Sequence, residues 1–367
     1  MKLQCDYFDS LACRSCSGLA LEPQSWREKQ ASTLKNLFID ENWLEPTWSS
    51  QIFGSRTKAK FSIGGTLETP IIGRTTKDGS VVDLSECQLH DARIVALAPE
   101  LFKIIKEYRL VPYDIGAQKG ELKHIIVQLG DNNTFMIRFI VRSKESIDRL
   151  KKFAAENSSN SRFKVITANI QPEHKAVLEG DEEIVLSKEK FLPVTIGDHQ
   201  LLLGPKSFSQ TNLEIAGKLY QCAADWLSSQ EGRVLDLFCG VGGFAAHLVS
   251  PSRQVVGVEL SSEAIESATQ AISGASFFAQ DAWQFVESSE YFETIVVNPP
   301  RRGLGQEICQ KLNQLSPKSI LYSSCNPQTL KRDLDILNYK IDKIKAFEMF
   351  PMTEHWEVLC LLIPNQE

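Results

Sequence analysis

The sequence predicts an α/β protein: a carboxyl-terminal Rossmann-like domain preceded by an α+β region. In the second half, apolar runs rich in β-branched residues alternate with helical patterns, which is typical of a parallel sheet covered by helices. In the first half, short alternating strands dominate and no nucleotide-binding motif occurs. The composition is that of a globular chain, with 43% hydrophobic and 23% charged residues.

The length and charge narrow the possible classes of protein. The 367 residues predict two or three domains. Forty basic residues against 46 acidic ones give a net charge of −6, which argues against a protein coated in positive charge but leaves room for a local basic face. No apolar run approaches the roughly 20 residues of a membrane span. The first residues lack the pattern of a signal peptide, so we expect a cytoplasmic protein.

The first half predicts a succession of short elements. Residues 25–38 have the spacing of an amphipathic helix, and residues 58–83 predict three short strands separated by glycine-rich or Asp-Gly turns. A second helix is predicted at 91–108. A β-hairpin around the turn at 130–133 and a short helix at 145–156 follow.

The second half predicts a doubly wound sheet. Its buried strands are predicted in the runs RVLDLFC, QVVGVEL, ASFFAQD, ETIVVNPP and SILYSSC. Two late runs, IKAFEMF and EVLCLLI, have no helix between them, so we expect them to close the sheet as an antiparallel pair. The domain boundary is predicted near 195–215.

A glycine-rich turn, LDLFCGVGG, ends one buried strand and opens a helix at 235–243. Gly240 and Gly242 allow a tight turn and a close approach of a ligand to the backbone. Glu259 ends the next strand, where a carboxylate can bind the hydroxyls of a ribose, and Asp281 ends the third. The glycine spacing departs from G-x-G-x-x-G, which favours S-adenosylmethionine over NAD. The alternative is that the glycines serve packing and Glu259 only begins a helix.

The loop Asn298-Pro299-Pro300-Arg301 follows the fourth of these strands. Ligands bind beyond the carboxyl ends of parallel strands, so its polar groups are placed to contact a substrate. A related Asn-Pro-Pro-Tyr loop marks methyltransferases acting on planar amino nitrogens, although Arg301 replaces the tyrosine here. A rigid turn without a ligand is the alternative.

Cys325 follows the fifth buried strand directly, in a Ser-Ser-Cys-Asn-Pro turn at the same edge. A thiolate at this position is a candidate nucleophile, provided that its surroundings lower its pKa. The connector before the last strand carries His355 between Glu354 and Glu357, which offers a general base. The other cysteines of this half are interpreted as small packing residues: Cys222, Cys239, Cys309 and Cys360.

Four cysteines of the first half form a possible metal-binding set: Cys5, Cys13, Cys16 and Cys87. Four thiolates can hold either zinc or a [4Fe–4S] cluster, and the spacing alone does not decide between them. Four unrelated free thiols are the alternative.

Residues 51–80 contain a local excess of positive charge. Five basic residues stand against Glu68 and Asp78, so 5 − 2 gives +3; they are Arg56, Lys58, Lys60, Arg74 and Lys77. Together with Phe61 on a β surface, this stretch predicts a face that contacts RNA phosphates. An ordinary solvated face is the alternative.

The motifs together resemble a known family. LDLFCGVGGF, VVNPPRRGLG, LYSSCNPQTL and FPMTEHWEVL, in this order, are similar to the RNA 5-methyluridine methyltransferases. The resemblance covers essentially the whole chain, including SFSQTN at 207–212 and the amino-terminal cysteines. Asn-Pro-Pro-Arg-Arg-Gly most resembles the branch that methylates a uracil of 23S rRNA, and the lack of an amino-terminal β-barrel RNA-binding extension agrees with it.

The resemblance implies a fold, a set of roles and two cofactors. It implies an iron–sulfur and RNA-contacting region at 1–90, a central α+β domain at 91–205 and a class I methyltransferase domain at 206–367. It assigns Cys325 as the nucleophile and Glu357 as the base that removes the C5 proton. S-adenosylmethionine is implied at four residues: Gln210, Phe238, Glu259 and Asn298. A [4Fe–4S] cluster is implied at four cysteines: Cys5, Cys13, Cys16 and Cys87.

One position departs from the family pattern, and several functions stay open. Met352 stands where relatives commonly carry histidine, so no catalytic role is expected there. We expect a single-stranded or loop uridine of 23S rRNA as the substrate, with no membrane and no obligate protein partner. The alternatives are the same chemistry on a tRNA uridine, an amino-nitrogen methyltransferase, and a non-catalytic RNA-binding iron–sulfur protein.

Overall fold

The computed structural model describes residues 3–38, 43–174, 177–289 and 291–365. The chain divides into two compact units. The first comprises Met1–Gln4, Arg14–Ile52 and Thr195–Glu367, and the second comprises Cys5–Cys13 and Phe53–Val194. The first unit therefore combines two amino-terminal segments with a long later one, and the second combines one amino-terminal segment with a long later one.

The helices and strands are numbered in chain order. The α-helices are α1 (Asp6–Asp9), α2 (Pro23–Leu37), α3 (Ala92–Val95), α4 (Ala98–Glu107), α5 (Ile147–Glu156), α6 (Leu213–Trp226), α7 (Gly243–Leu248), α8 (Ser262–Ala271), α9 (Ala282–Glu287), α10 (Gln306–Leu315) and α11 (Pro327–Leu334). The strands are β1 (Lys58–Gly65), β2 (Pro70–Thr75), β3 (Val81–Asp83), β4 (Leu122–Leu129), β5 (Phe135–Val141), β6 (Phe163–Ile170), β7 (Glu182–Val185), β8 (Leu192–Ile196), β9 (His199–Leu203), β10 (Gly232–Leu237), β11 (Arg253–Glu259), β12 (Ala275–Ala279), β13 (Thr294–Val297), β14 (Ser319–Ser324), β15 (Tyr339–Phe347) and β16 (Glu357–Pro364).

The second unit is built on a seven-stranded sheet in the order β3-β2-β1-β4-β5-β6-β7. Neighbouring strands are antiparallel except β5 and β6, which run parallel. The predicted strands at 58–83 and the hairpin at 130–133 are confirmed. The predicted helix at 91–108 is instead two helices, α3 and α4. Pro99 explains the break, because proline is favoured in the first turn of a helix but breaks a helix interior.

Side-chain alternation in β1 corrects one prediction. Phe61 is buried in the core of the second unit, whereas Lys58, Lys60 and Ser62 occupy the opposite face. The prediction that Phe61 lies on an exposed RNA-contacting surface is therefore wrong. Successive residues of a strand point to opposite faces, so an aromatic residue next to lysines in sequence lies on the other side of the sheet.

The first unit contains the doubly wound sheet, in the order β12-β11-β10-β13-β14-β16-β15. The five strands from β12 to β14 are parallel. β16 runs antiparallel to both β14 and β15, as the two late apolar runs predict. The α/β methyltransferase-type architecture expected for this half is confirmed. Among the described residues, no helix has the length and apolar character needed to cross a membrane.

The predicted amphipathic helix is α2, and it belongs to the first unit. Pro23 stands at its start, and its buried positions are Trp26, Gln30 and Leu34, spaced four residues apart. The helix packs against α11, which begins two residues after Cys325. Its position therefore brings one face of α2 to the edge of the sheet where Cys325 lies.

Candidate active site

The topology brings five predicted site residues to one edge of the doubly wound sheet. Phe238, Glu259, Asn298 and Cys325 lie at the carboxyl ends of β10, β11, β13 and β14. Because β16 is antiparallel to β14, its first residue, Glu357, lies at this same edge. Parallel strands collect their carboxyl ends on one side of a sheet, where ligands bind in folds of this class.

The glycine-rich turn after β10 has a left-handed backbone. Phe238, Gly240 and Gly242 have φ angles of 65°, 54° and 85°. The next residue, Gly243, begins α7, and a Cβ there would come within 2.5 Å of the Tyr220 ring. The positive φ angles of Gly240 and Gly242 and the crowding at Gly243 explain why these positions are glycine. The lack of side chains also lets a ligand approach the backbone of the turn.

A buried carboxylate beneath this turn escaped the sequence-based prediction. Asp236 is fully buried, and its Oδ2 accepts a hydrogen bond of 3.0 Å from the Ala245 amide. Its Oδ1 has no partner among the described residues, and burial raises the pKa of the carboxyl to about 7. An acidic residue inside the apolar run LDLF was the available signal. This oxygen is sealed beneath the turn, so its burial disfavours the charged carboxylate.

The other predicted cofactor residues differ in burial and in hydrogen bonding. Oε1 of Glu259 accepts a hydrogen bond of 3.0 Å from the Ser261 amide. Gln210 is buried and Asn298 half-buried, and neither side chain is hydrogen-bonded within the described ranges. Asp281 caps α9 through the amides of Trp283 and Gln284, so helix capping accounts for that carboxylate. The Glu259 carboxylate and the Asn298 amide are therefore the polar groups that the ends of β11 and β13 supply.

Two neighbouring charges act on Cys325 in opposite directions. Its side chain is half-buried, and burial together with the Glu357 carboxylate raises the pKa of the thiol. The Arg301 guanidinium lowers that pKa through its charge and a hydrogen bond. Arg301 is held in place because its carbonyl oxygen accepts hydrogen bonds of 3.0 Å from Asn326 and 3.2 Å from Thr329. The sequence singled out Arg301 only as a departure from another motif, and its action on Cys325 was missed.

Glu357 is a buried carboxyl group that titrates near neutrality. Its Oε1 accepts a hydrogen bond of 2.5 Å from the Ser323 hydroxyl. Burial raises the pKa of Glu357 to about 7. A carboxylate with such a pKa is suited to accept a proton from carbon and to release it again.

Cys325 opens into a cavity of about 550 Å³. Arg301, Gln30 and Trp356 also line it, and the exposed side chains of Glu354 and His355 contribute to the same wall. Of the three candidate bases on the connector, only Glu357 is buried beside the thiol. Met352 is buried, with a φ of 59°, and its carbonyl accepts a hydrogen bond from Gly18.

The remaining cysteines of the first unit's long segment behave as packing residues. Cys239, Cys309 and Cys360 are buried and Cys222 is half-buried. Burial raises the pKa of the Cys222 thiol to about 11 and that of Cys309 to about 12. Such thiols are inert at neutral pH, which agrees with the prediction.

The amino-terminal cysteines are divided between the two units. Cys5 and Cys13 belong with Cys87 to the second unit, and Cys16 belongs to the first. The Tyr7 hydroxyl accepts a hydrogen bond of 3.2 Å from the Glu86 amide. Burial, and to a lesser extent the charges of Cys13 and Cys5, raises the pKa of Cys87. Across the described ranges, no group of three or more His, Cys, Asp or Glu side chains is arranged to hold a metal ion.

The basic stretch contributes to a second cavity, which lies within the second unit. It measures about 470 Å³, and Arg74, Lys77 and Lys123 are among its lining residues. Arg74 and Lys77 are exposed. Lys58 is half-buried, and burial beside Lys60 and Arg138 lowers its pKa to about 8. Arg74 and Lys77 are therefore better placed than Lys58 to contact an anion in solution.

Comparisons with known proteins reveal similarity over both halves of the chain. A family model described as tRNA (uracil-5-)-methyltransferase matches residues 173–281 and 270–365. The curated relative from Shewanella amazonensis, named 23S rRNA (uracil(747)-C(5))-methyltransferase RlmC, is 40% identical over 378 residues, covering 98% of each chain. A relative of the same name from Escherichia coli O139:H28 is 37% identical and covers 98% of this chain and 100% of its own.

A solved structure has the same overall fold. It is the Pyrococcus abyssi tRNA (uracil-54, C5)-methyltransferase in complex with S-adenosyl-L-homocysteine. The TM-score is 0.82 at 27% sequence identity, and the match covers 95% of this chain and 86% of that one. The similarity of fold thus extends beyond the doubly wound sheet.

The opposing charges on Cys325 predict opposite shifts in its reactivity. Arg301→Gln removes the charge that lowers the thiol pKa, so the pH dependence of alkylation moves to higher pH. Glu357→Gln removes the charge that raises that pKa, so the dependence moves to lower pH. The measurement is iodoacetamide alkylation of the Cys325 peptide, followed by mass spectrometry above neutral pH.

The Cys222 peptide provides an internal control in the same samples, because its rate should be equal in all three proteins. Shifts of the same sign in the two variants, or no shift in either, would show that these charges do not govern the thiol.

Proposed function

This chain belongs to the RNA (uracil-C5)-methyltransferase family, and we propose that it transfers a methyl group from S-adenosylmethionine to C5 of a uridine in 23S rRNA. The observation that carries the proposal is the meeting of Cys325, Arg301 and Glu357 at the edge of the sheet that also carries the glycine turn. The two RlmC relatives, which match nearly the full length of this chain, support 23S rRNA as the substrate.

The chemistry explains why a thiol and a carboxylate are needed together. Uracil C5 is a poor nucleophile until the Cys325 thiolate adds to C6 and pushes electrons toward C5 and O4. S-adenosylmethionine, when bound, supplies the electrophilic methyl group. Glu357 then removes the C5 proton, and the returning electron pair expels the thiolate from C6. Arg301 favours the thiolate that begins this sequence.

The residues around the glycine turn fit S-adenosylmethionine. We assign Glu259 to the ribose hydroxyls, because a carboxylate at the end of the second strand can accept both. We also assign the amides of Gln210 and Asn298 to this cofactor; Gln210 is buried, and Asn298 follows β13 at the ligand-binding edge. Phe238 contributes the backbone turn that lets the ligand approach.

Substitution of the nucleophile and of the base predicts two different defects. Cys325→Ala abolishes methyl transfer to a 23S rRNA fragment, because no group remains to activate C5. Glu357→Gln allows addition and methylation but blocks proton removal, so a covalent protein–RNA adduct accumulates. Transfer of labelled methyl groups and a denaturing gel of the adduct measure these outcomes.

Cys222→Ala is the matched control, since it removes a half-buried thiol of the same unit and should retain full turnover. Turnover by purified, folded Cys325→Ala would overturn the proposed mechanism.

A loop or single-stranded uridine is the proposed target. The reacting base must leave its stack to reach Cys325, which costs a few kcal/mol and least for an unpaired base. The structural relative that acts on a tRNA uracil keeps tRNA as the second candidate substrate. Methyl transfer to unmodified 23S rRNA and to unmodified tRNA, followed by mapping of the product nucleotide, distinguishes them.

Arg74 and Lys77 are proposed to contact RNA phosphates. Both are exposed cations at one cavity of the second unit, and phosphate contacts dominate the affinity of proteins for nucleic acids. Neutral His124 adds no charge there, because burial lowers its pKa to about 4.

The double variant Arg74→Glu/Lys77→Glu should weaken RNA binding about tenfold or more and reduce the salt slope by about 0.7 for each phosphate that the protein no longer neutralises. Affinity for S-adenosylhomocysteine should be unchanged. Lys103→Glu/Lys106→Glu on α4 is the matched control, because these lysines line a different surface of the same unit. Equal weakening by both pairs would assign the effect to overall charge.

The four amino-terminal cysteines are proposed to bind a [4Fe–4S] cluster. The described side chains are not arranged around a metal ion, so the proposal rests on the chemistry of the four-thiol donor set and on the family resemblance. No step of the methyl transfer needs an electron, so the cluster has a structural role.

Protein purified without oxygen should be brown and contain about four irons per chain. Cys87→Ser should lose that colour, whereas Cys222→Ser should keep it; stoichiometric zinc without iron would contradict the assignment.

A further inference from the structure

The buried face of α2 contains one polar residue. Trp26, Gln30 and Leu34 form a stripe with a four-residue spacing, and Gln30 is only 7% exposed. An apolar residue at this position would complete an ordinary amphipathic helix. The glutamine therefore interrupts the stripe that packs α2 onto the first unit.

The Gln30 amide lacks a protein partner. The Gln30 side chain makes no hydrogen bond to another residue of the described ranges, and its amide keeps some accessible surface, unlike the sealed Nε1–H of Trp356. Gln24, on the same helix, shows the ordinary arrangement: it is exposed and donates a hydrogen bond of 2.8 Å to Glu28. An accessible amide without a protein partner is available to a ligand in the cavity that it lines.

Gln30 lines the cavity that contains Cys325. The packing of α2 against α11 accounts for this, because Cys325 lies just before α11. Trp356 lines the same cavity, and within the described ranges its buried Nε1–H also has no hydrogen-bond partner. Of these two polar groups in the wall around the nucleophile, the Gln30 amide is therefore the one that is accessible to a ligand.

The chemistry of an amide matches the edge of a nucleobase. An amide presents a donor and an acceptor side by side without net charge, whereas the exposed Lys29 supplies a cation that suits phosphate. Uracil presents an N3–H donor between two carbonyl acceptors. We propose that Gln30 hydrogen-bonds N3–H and an adjacent carbonyl of the uracil whose C6 is attacked by Cys325. This inference rests on the proposed function and assigns a substrate-positioning residue outside the strand-end motifs.

Gln30→Met tests the inference, because methionine keeps the length of the side chain and removes its polar groups. We expect kcat/KM for a 23S rRNA fragment to fall about tenfold or more, the value of one or two hydrogen bonds. The midpoint of thermal unfolding should be equal or higher, because the buried amide is gone. The affinity for S-adenosylhomocysteine and the alkylation rate of Cys325 should not change. Gln24→Met is the matched control and should leave all four quantities unchanged.

The measurements on Gln30→Met distinguish a contact with the uracil from a packing role and from failure of the proposed function. Unchanged kcat/KM in a folded Gln30→Met enzyme overturns the inference and leaves the proposed function intact. Parallel losses of thermal stability and cofactor binding would assign Gln30 to packing and also overturn it. Failure of the wild-type protein to methylate both 23S rRNA and tRNA would remove the proposed function and this inference together.

A second measurement uses the wild-type protein and so does not depend on the folding of a variant. RNA with 3-methyluridine at the target position lacks the N3–H, and its kcat/KM should fall about tenfold or more. Gln30→Met, where it folds, should discriminate less between the two RNAs. Equal turnover of both RNAs by the wild-type enzyme would contradict the proposed contact.

Discussion

The antiparallel direction of β16 is the constraint on which the site depends. In an all-parallel sheet the first residue of a strand lies at the edge opposite the ligand. Because β16 runs against β14, Ser324 pairs with Val358, and Glu357 begins the strand at the edge where Cys325 follows β14. The nucleophile and the base therefore come from two adjacent strands. The hydrogen bonds between β14 and β16 fix the position of Glu357 relative to Cys325.

This placement has an electrostatic consequence. Two fully or nearly fully buried carboxyls, Glu357 and Asp236, have pKa values raised to about 7 by burial. The folded chain therefore holds protons that the unfolded chain releases at lower pH, so these groups make folding less favourable as pH rises toward 7. Arg301 offsets part of the unfavourable charge around Cys325. The same burial that destabilises the charged carboxylate also gives Glu357 a proton affinity suited to a base.

Sequence patterns located the strand-end groups because a parallel sheet collects its carboxyl ends at one edge, whatever the details of packing. That rule placed Glu259, Asn298 and Cys325 correctly at that edge. It could not identify Gln30 or the action of Arg301, because each depends on the packing of segments distant in sequence. Phe61 was misplaced for a local reason: a net charge over a stretch of sequence ignores the alternation of faces along a strand.

The polar groups near the ligand-binding edge divide into two sets, and the division has a chemical meaning. Asp236, Glu259 and Asn298 lie in or at the ends of β10, β11 and β13, in the region of the glycine turn. Gln30 and Trp356 belong to the cavity that contains Cys325. Polar groups that border a cavity can pair with a ligand that occupies it. A methyltransferase holds two ligands, the donor of the methyl group and its acceptor. One set suits the sulfonium cofactor, and the other suits a planar base with hydrogen-bonding edges.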